Sequence, residues 1–195
     1  MAVTIRVDTA PWAERLKALG PRANAALARA LNRTAASERT AMARAVAKDM
    51  GIAVGAAREG IVIKKAHKTN LVASLTARGK RLPLIDFKAR GRYPSLGQGR
   101  GVSYVGKGGQ RKTIANAFMT IVTRAGEDGQ HAGHRGVFRR VARRRLPIKQ
   151  LYGASVARVF GNLLPIGEAR RNEVLLNNVA HEIEFELSRL TGAAT

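Results

Sequence analysis

Residues 21–51 read PRANAALARALNRTAASERTAMARAVAKDMG, and this stretch predicts one long helix. Proline stands in its first turn and Gly51 follows Met50, as at many helix ends. At 100° per residue the apolar and cationic side chains separate onto opposite faces. The apolar stripe is Leu27, Leu31, Ala35, Met42, Ala45 and Val46, and the cationic face is Arg22, Arg29, Arg33, Arg44 and Lys48. Glu38 falls within the apolar stripe, so it is either paired there or placed at an interface between subunits.

Two further regions with helical patterns flank this stretch. Residues 1–20 predict an N-terminal strand followed by a short helix that ends at Gly20. Residues 167–190 predict a long C-terminal helix with its apolar side chains on one side. Glu182, Glu184 and Glu186 recur at every second position, so we expect them to spread around this helix and to form no catalytic pair.

The region between the two long helices has the character of strands. One helical turn at 55–60 precedes runs rich in β-branched and apolar residues, separated by turn residues. These predicted strands are 61–63, 70–77, 84–87, 117–122 and 136–141. The order of strand, helices, strands and helix predicts a single α+β domain over 1–195, with two long helices packed on a mostly antiparallel sheet.

Residues 89–113 differ from the rest of the chain. Seven glycines lie there among scattered arginines and lysines, with few apolar residues to build a core. We expect an extended basic loop or hairpin arm that is weakly protected in the free protein, because ordering glycine-rich backbone is costly.

The chain is strongly cationic. Its 195 residues contain 35 Lys and Arg against 13 Asp and Glu, a net charge of +22. Residues 78–145 hold 17 basic and 3 acidic side chains, whereas residues 166–195 hold 3 basic and 5 acidic ones. This asymmetry indicates an anionic partner. The residues expected to face DNA or a neighbouring subunit are Arg90, Arg92, Arg100, Lys107, Arg111, Lys112, Arg139, Arg140, Arg143, Arg144 and Arg145.

The sequence contains no pattern typical of an enzyme. The absence of cysteine excludes disulfides and cysteine-based chemistry. Residues 101–108 approach a phosphate-binding loop but lack the hydroxyl residue that follows its lysine. We therefore predict no catalytic residue, no metal and no cofactor. No run is long and apolar enough for a membrane span, and the N-terminus lacks the form of a signal peptide, so we expect a cytoplasm-like compartment.

Five short motifs carry a family resemblance over roughly residues 22–190. They are Ala30-Leu-Asn-Arg-Thr-Ala35, Arg81-Leu-Pro-Leu-Ile-Asp-Phe87, Ile114-Ala-Asn-Ala-Phe118, Gly136-Val-Phe-Arg-Arg140 and Leu146-Pro-Ile-Lys-Gln-Leu-Tyr-Gly-Ala-Ser-Val156. In this order they make the chain similar to the minor tail protein Z family, the tail-completion proteins of long-tailed phages.

The resemblance implies a structural protein of the virion, made in the cytoplasm of the host bacterium. It implies a ring, with six copies expected, at the head-proximal end of the tail. The implied neighbours are the tail terminator and tail tube proteins, with tape-measure and head-completion proteins as further partners. Phage DNA would occupy the channel without sequence-specific contacts. The alternative is a free, non-specific nucleic-acid-binding protein.

Overall fold

The elements follow the predicted order of strand, helices, strands and helix. A computed structural model describes residues 2–91, 101–125, 131–142 and 146–192. Its helices are α1 (Ala13–Leu19), α2 (Ala23–Met50), α3 (Val54–Glu59), α4 (Val156–Leu163) and α5 (Glu168–Thr191). Its strands are β1 (Ala2–Ile5), β2 (Ile61–Lys64), β3 (Ala73–Ala77), β4 (Arg81–Pro83), β5 (Val102–Val105), β6 (Arg111–Ile114), β7 (Ala117–Ala125), β8 (His131–Arg140), β9 (Ile148–Gln150) and β10 (Tyr152–Ser155). The α+β class is confirmed.

The long helix predicted from residues 21–51 is α2, and it forms the centre of the core. Its apolar stripe is buried except for the half-buried Ala45, with Leu31 and Ala35 fully inaccessible. Gly51 ends the helix with a φ of 69°, a conformation that favours glycine. A Cβ atom at Gly51 would lie 2.3 Å from Cγ1 of Val105, so this position also requires glycine for close packing.

α5 packs against α2 in the opposite direction. Its residues Leu175, Val179 and Ile183 are buried, as the helical pattern predicts. Contacts run from Arg29 beside Glu182 to Glu38 beside Arg171, so the N-terminal part of α2 meets the C-terminal part of α5 and the middle of α2 meets the first turn of α5.

A three-stranded antiparallel sheet packs on the other elements of the core. β3 is its central strand, with β1 and β2 on either side. Ile61 opposes Ala77 and Ile5 opposes Ala73 in the two ladders. These four side chains are buried, whereas Thr4 and Val62 are exposed, which is the alternation expected of a sheet covered on one face.

The strand predicted at 84–87 is wrong. β4 ends at Pro83, and Leu84–Asp86 form a 3₁₀ helix in which the Phe87 amide donates to the Leu84 carbonyl at 3.2 Å. Leu84 and Phe87 are both buried. A single tight turn brings two apolar residues three positions apart to the same side, and an alternating strand would separate them.

The part of residues 89–113 that the structure describes forms a hairpin. β5 and β6 pair in register from Val102 opposite Ile114 to Val105 opposite Arg111. Val102 is fully buried, and the Val105 amide donates to the Phe87 carbonyl at 2.8 Å. The hairpin is therefore attached to the folded body, although the sequence of this segment offers few apolar residues for a core.

The remaining strands form two sheets, which are linked through the backbone of Leu151. β8 lies between β7 and β9, and β10 pairs with β4. The Leu151 amide donates to the Val137 carbonyl at 2.8 Å, and its carbonyl accepts from the Leu84 amide at 3.0 Å. In the part of the chain that is described, no helix is both long and apolar enough to cross a membrane.

Candidate functional site: buried ion pairs and an exposed basic surface

Two buried carboxylates of α5 converge on one arginine of α2. The Arg29 Nε atom donates to Oε2 of Glu182 at 2.7 Å, and its Nη2 atom donates to Oε1 of Glu186. Arg33 adds a contact of 3.3 Å to Glu182. The hydrogen bond that Arg29 donates to Glu182, the bond it donates to Glu186 and the charges of both carboxylates raise the pKa of Arg29 above its ordinary value despite partial desolvation.

This convergence corrects the expectation for the three glutamates of the C-terminal helix. Glu182 and Glu186 are one helical turn apart and share one face, whereas Glu184 is exposed on the other side. Spacing of four residues was the signal that would have revealed the pair. Their role is to hold α2 and α5 together, since both are almost fully buried and contact a cation of the facing helix.

Glu38 forms an ion pair within its own subunit. Of the two placements expected for it, a pair within the apolar stripe or an interface between subunits, the structure shows the first. Nη1 of Arg171 donates to Oε1 of Glu38 at 3.1 Å, and both side chains are buried. Nearby, Asn178 donates to the Thr34 hydroxyl at 2.9 Å. The motif at 30–35 therefore contains groups that fix the contact between α2 and α5.

The buried pairs change the charge balance of the surface. Glu38, Glu182 and Glu186 are the three buried carboxylates among the described residues, and each is neutralised by an arginine of the same chain. They add little negative potential outside the protein, because their field is compensated locally. Only the remaining, unburied acids can therefore offset the positive charge of residues 78–145 at the surface.

The β5–β6 hairpin brings several of the predicted cationic residues together. Arg90 and Ser103 exchange backbone hydrogen bonds of 2.7 and 2.8 Å, and Nη1 of Arg111 donates to the Ser103 hydroxyl at 3.0 Å. Lys112 of β6 lies opposite Tyr104 of β5. Arg90, Arg111 and Lys112 are exposed. Within the described parts of the chain they form no ion pair with a carboxylate.

Lys107 lies in the turn of the same hairpin, beside a pocket. The pocket has a volume of about 260 Å³ and lies where the turn meets the end of α2 and one face of α4. Met50, Phe87 and Val159 give it an apolar lining, and Arg158 of α4 provides a second cation. No pattern in the sequence indicated Arg158, because it lies outside the basic segment.

Arg139 and Arg140 end β8 and are both exposed. Consecutive strand residues point to opposite faces, and the guanidinium of Arg140 lies 5.9 Å from the centre of the Phe118 ring. The two arginines therefore do not form one patch. The other predicted residues, Arg92, Arg100, Arg143, Arg144 and Arg145, lie outside the described residues.

A smaller polar cluster lies beside the 3₁₀ helix. Burial raises the pKa of Asp86, the charge of Glu59 raises it further, and His134 lowers it. Gln150 lies between His134 and Tyr152, with its Nε2 atom 2.7 Å from Nε2 of His134 and its Oε1 atom accepting from the Tyr152 hydroxyl at 3.0 Å. Among the residues with described positions, no group of three or more His, Asp or Glu side chains is arranged to hold a metal ion.

The fold and the surface together define a class of protein: a small α+β unit that pairs its buried carboxylates with arginines of the same chain and exposes many cations. The chain belongs to the prophage minor tail protein Z family, whose model matches residues 11–192. It is therefore a structural protein of the phage tail. No curated protein and no solved structure matches the chain significantly.

Proposed function

We propose that this protein completes the phage tail by forming a ring at its head-proximal end, in the neck. There it helps connect tail to head and position the end of the genome. Membership of the tail family supports a place in the tail. The observation that carries the finer assignment is the exposed basic hairpin with Arg90 bridged to it, because Arg90, Arg111 and Lys112 have no internal carboxylate partner among the described residues.

The charge of the subunit implies that the ring needs partners. Copies of net charge +22 repel one another, so association requires acidic neighbours or DNA to offset the repulsion. The proposed neighbours are the tail terminator and tail tube proteins, with tape-measure and head-completion proteins beyond them, and six copies are the expected number. We expect the purified protein to be monomeric or weakly associated. A stable ring of bare protein at low salt, seen by light scattering, would contradict this.

Position and copy number test the proposal directly. A chain tagged after Thr195 is produced during phage assembly, and tails are purified. Gold labelling of the tag locates the protein on the tail, and quantitative mass spectrometry counts its copies per tail. We expect label at the head-proximal end and several copies per tail. Label at the distal tip, or one copy per tail, would disprove the ring. Recovery of the chain only outside tails would favour the free nucleic-acid-binding alternative.

A separate test addresses the densest basic cluster of the sequence, which is Arg139, Arg140, Arg143, Arg144 and Arg145. Arg143, Arg144 and Arg145 are replaced together by Gln, and a matched variant replaces by Gln the exposed residues Arg22, which precedes α2, and Arg44 and Lys48 of α2. If the cluster faces DNA, tails form but deliver the genome poorly, because phosphate contacts are lost. If tails fail to form, the cluster instead contacts acidic protein surfaces. The matched variant is expected to leave assembly and delivery unchanged.

A further inference from the structure

The pocket beside Lys107 has the chemistry of a receptor for a carboxylate next to an apolar side chain. Its apolar lining comes from Met50, Phe87 and Val159, while Lys107 and Arg158 are exposed cations that also line it. Neither cation lies within ion-pair distance of a carboxylate among the described residues, although Asp49 also contributes to the lining. A volume of about 260 Å³ accommodates one or two side chains of a partner.

The outer face of α5 carries a matching pair of side chains. Leu176 is 48% exposed although it is a large apolar residue, and Glu173 is exposed three residues earlier. Residues three apart are neighbours on a helix surface, so the carboxylate and the leucine form one protruding patch. A second such combination, Glu184 with Phe185, differs because the guanidinium of Arg189 lies 5.7 Å from the centre of the Phe185 ring.

A subunit cannot fill its own pocket with this patch. Arg171 on α5 pairs with Glu38 on α2, and Met50 in the pocket lies twelve residues beyond Glu38, about 18 Å along the helix. Because α5 runs in the opposite direction, Leu176 lies farther still from the pocket. The patch and the pocket are therefore separate surfaces, which is the condition for a head-to-tail contact that closes a ring.

We propose that the pocket binds the Glu173–Leu176 patch of a second copy of this chain. The carboxylate of Glu173 lies between Lys107 and Arg158, and Leu176 enters against the apolar lining. This contact pairs the scarce exposed acid of one subunit with unpaired cations of the next, so it lowers the repulsion between copies. It rests on the proposed ring and specifies how its subunits meet.

Charge reversal tests the contact in assembled tails. Glu173→Arg or Arg158→Glu alone places like charges together, and we expect incorporation of the protein into tails to fall at least about tenfold. The double variant, with both changes in one chain, restores opposite charges and should recover most of the incorporation. Glu184→Arg, on the same outer face three turns away, and Arg44→Glu are the matched controls and should have little effect. Unfolding curves of the purified variants verify that each remains folded.

Cross-linking provides a second measurement. Because the chain has no cysteine, Asn162→Cys at the pocket and Leu176→Cys on the patch introduce the only two thiols. A short bifunctional thiol reagent applied to tails should give a ladder of linked copies. The control pair, Asn162→Cys combined with Ser188→Cys, should give no ladder of linked copies.

The outcomes separate this inference from the proposed function. Several copies per tail, with no ladder and with no effect of Glu173→Arg, would overturn the contact and leave the ring intact. If Arg158→Glu reduces incorporation and the addition of Glu173→Arg does not restore it, the proposed contact is overturned as well. The pocket would then be assigned to DNA or another protein. One copy per tail would refute the ring itself, and the contact with it.

Discussion

Arginines in two regions of this protein have opposite surroundings. At the contact between α2 and α5, Arg29 and Arg171 meet carboxylates that are almost fully buried. At the β5–β6 hairpin, Arg90 and Arg111 are exposed: the backbone of Arg90 pairs with that of Ser103, and the guanidinium of Arg111 donates to the Ser103 hydroxyl. The first set stabilises the fold of a single subunit, because each buried carboxylate needs its cation. The second set adds little to that fold and is available to partners.

The largest effect is expected where the buried carboxylates lose their shared cation. Arg29→Ala leaves Glu182 and Glu186 buried without that partner and should reduce the free energy of unfolding by about 3 kcal/mol. Arg44→Ala, an exposed arginine of the same helix, should change it by no more than about 0.5 kcal/mol. Urea denaturation of both variants measures the difference. Equal stability of the two would mean that the buried pairs do not hold the helices together.

The attachment of the basic hairpin to α2 gives the next largest effect. Gly51→Ala requires a left-handed conformation and places a methyl group 2.3 Å from Val105, so we expect a loss of about 2 kcal/mol. Gly55→Ala is the matched control, because a Cβ atom there meets nothing within 4 Å and α3 favours alanine. Hydrogen exchange should also show faster exchange of the Val105 amide in the first variant only. Unchanged exchange would indicate that the hairpin is held independently of α2.

Substitutions on the hairpin should affect partners and leave the fold unchanged. Arg111→Gln with Lys112→Gln removes two candidate phosphate contacts, so the slope of log affinity for duplex DNA against log salt should become shallower by about 1.8. The same pair of changes at Arg44 and Lys48 should leave the slope unaltered. The measurement is fluorescence anisotropy at several salt concentrations. An equal change in both double variants would show that affinity depends on net charge alone.

The sequence predicted well those elements whose patterns are long. Residues 21–51 fix a helix because the apolar stripe repeats over many turns and Gly51 marks its end. α4 has only eight residues, too few for its helical period to be distinguished from a strand. The segment 84–87 has the composition of a strand, and its 3₁₀ turn results from packing of Leu84 and Phe87 in the core.

The candidate site was predicted less completely. The basic residues of the hairpin are visible in the sequence because they are concentrated in one segment. Which acids remain on the surface is not visible, because pairing of Glu38 with Arg171 joins residues 133 positions apart. Arg158 and the pocket are equally hidden, since their neighbours come from α2, the hairpin turn and α4. Such contacts depend on the tertiary structure and have no local pattern.

The smallest effect concerns Asp86, a carboxylate that lies outside the α2–α5 contact. Burial and the nearby charge of Glu59 raise its pKa above the ordinary value of 3.8, so the folded state binds its proton more tightly than the unfolded state does. Asp86 therefore favours folding at acid pH, and this contribution is lost as the pH rises through the raised pKa. Asp86→Asn removes the ionisation, so the variant should be more stable than the original chain at neutral pH, by no more than about 0.5 kcal/mol because the group is partly exposed.

The difference between the two chains is measured by urea denaturation from about pH 3 to about pH 7, the range over which a raised carboxyl pKa acts. Glu59→Gln sharpens the measurement, because it removes the neighbouring charge and leaves the burial of Asp86 in place. In this variant, the pH at which Asp86 ceases to favour folding should move toward the ordinary pKa of an aspartate. Burial should still keep the pKa of Asp86 above that ordinary value. A variant with Asn at position 86 that is less stable at neutral pH would show that the ionised carboxylate makes a favourable contact, and Asp86 would then belong with the paired acids of the α2–α5 contact.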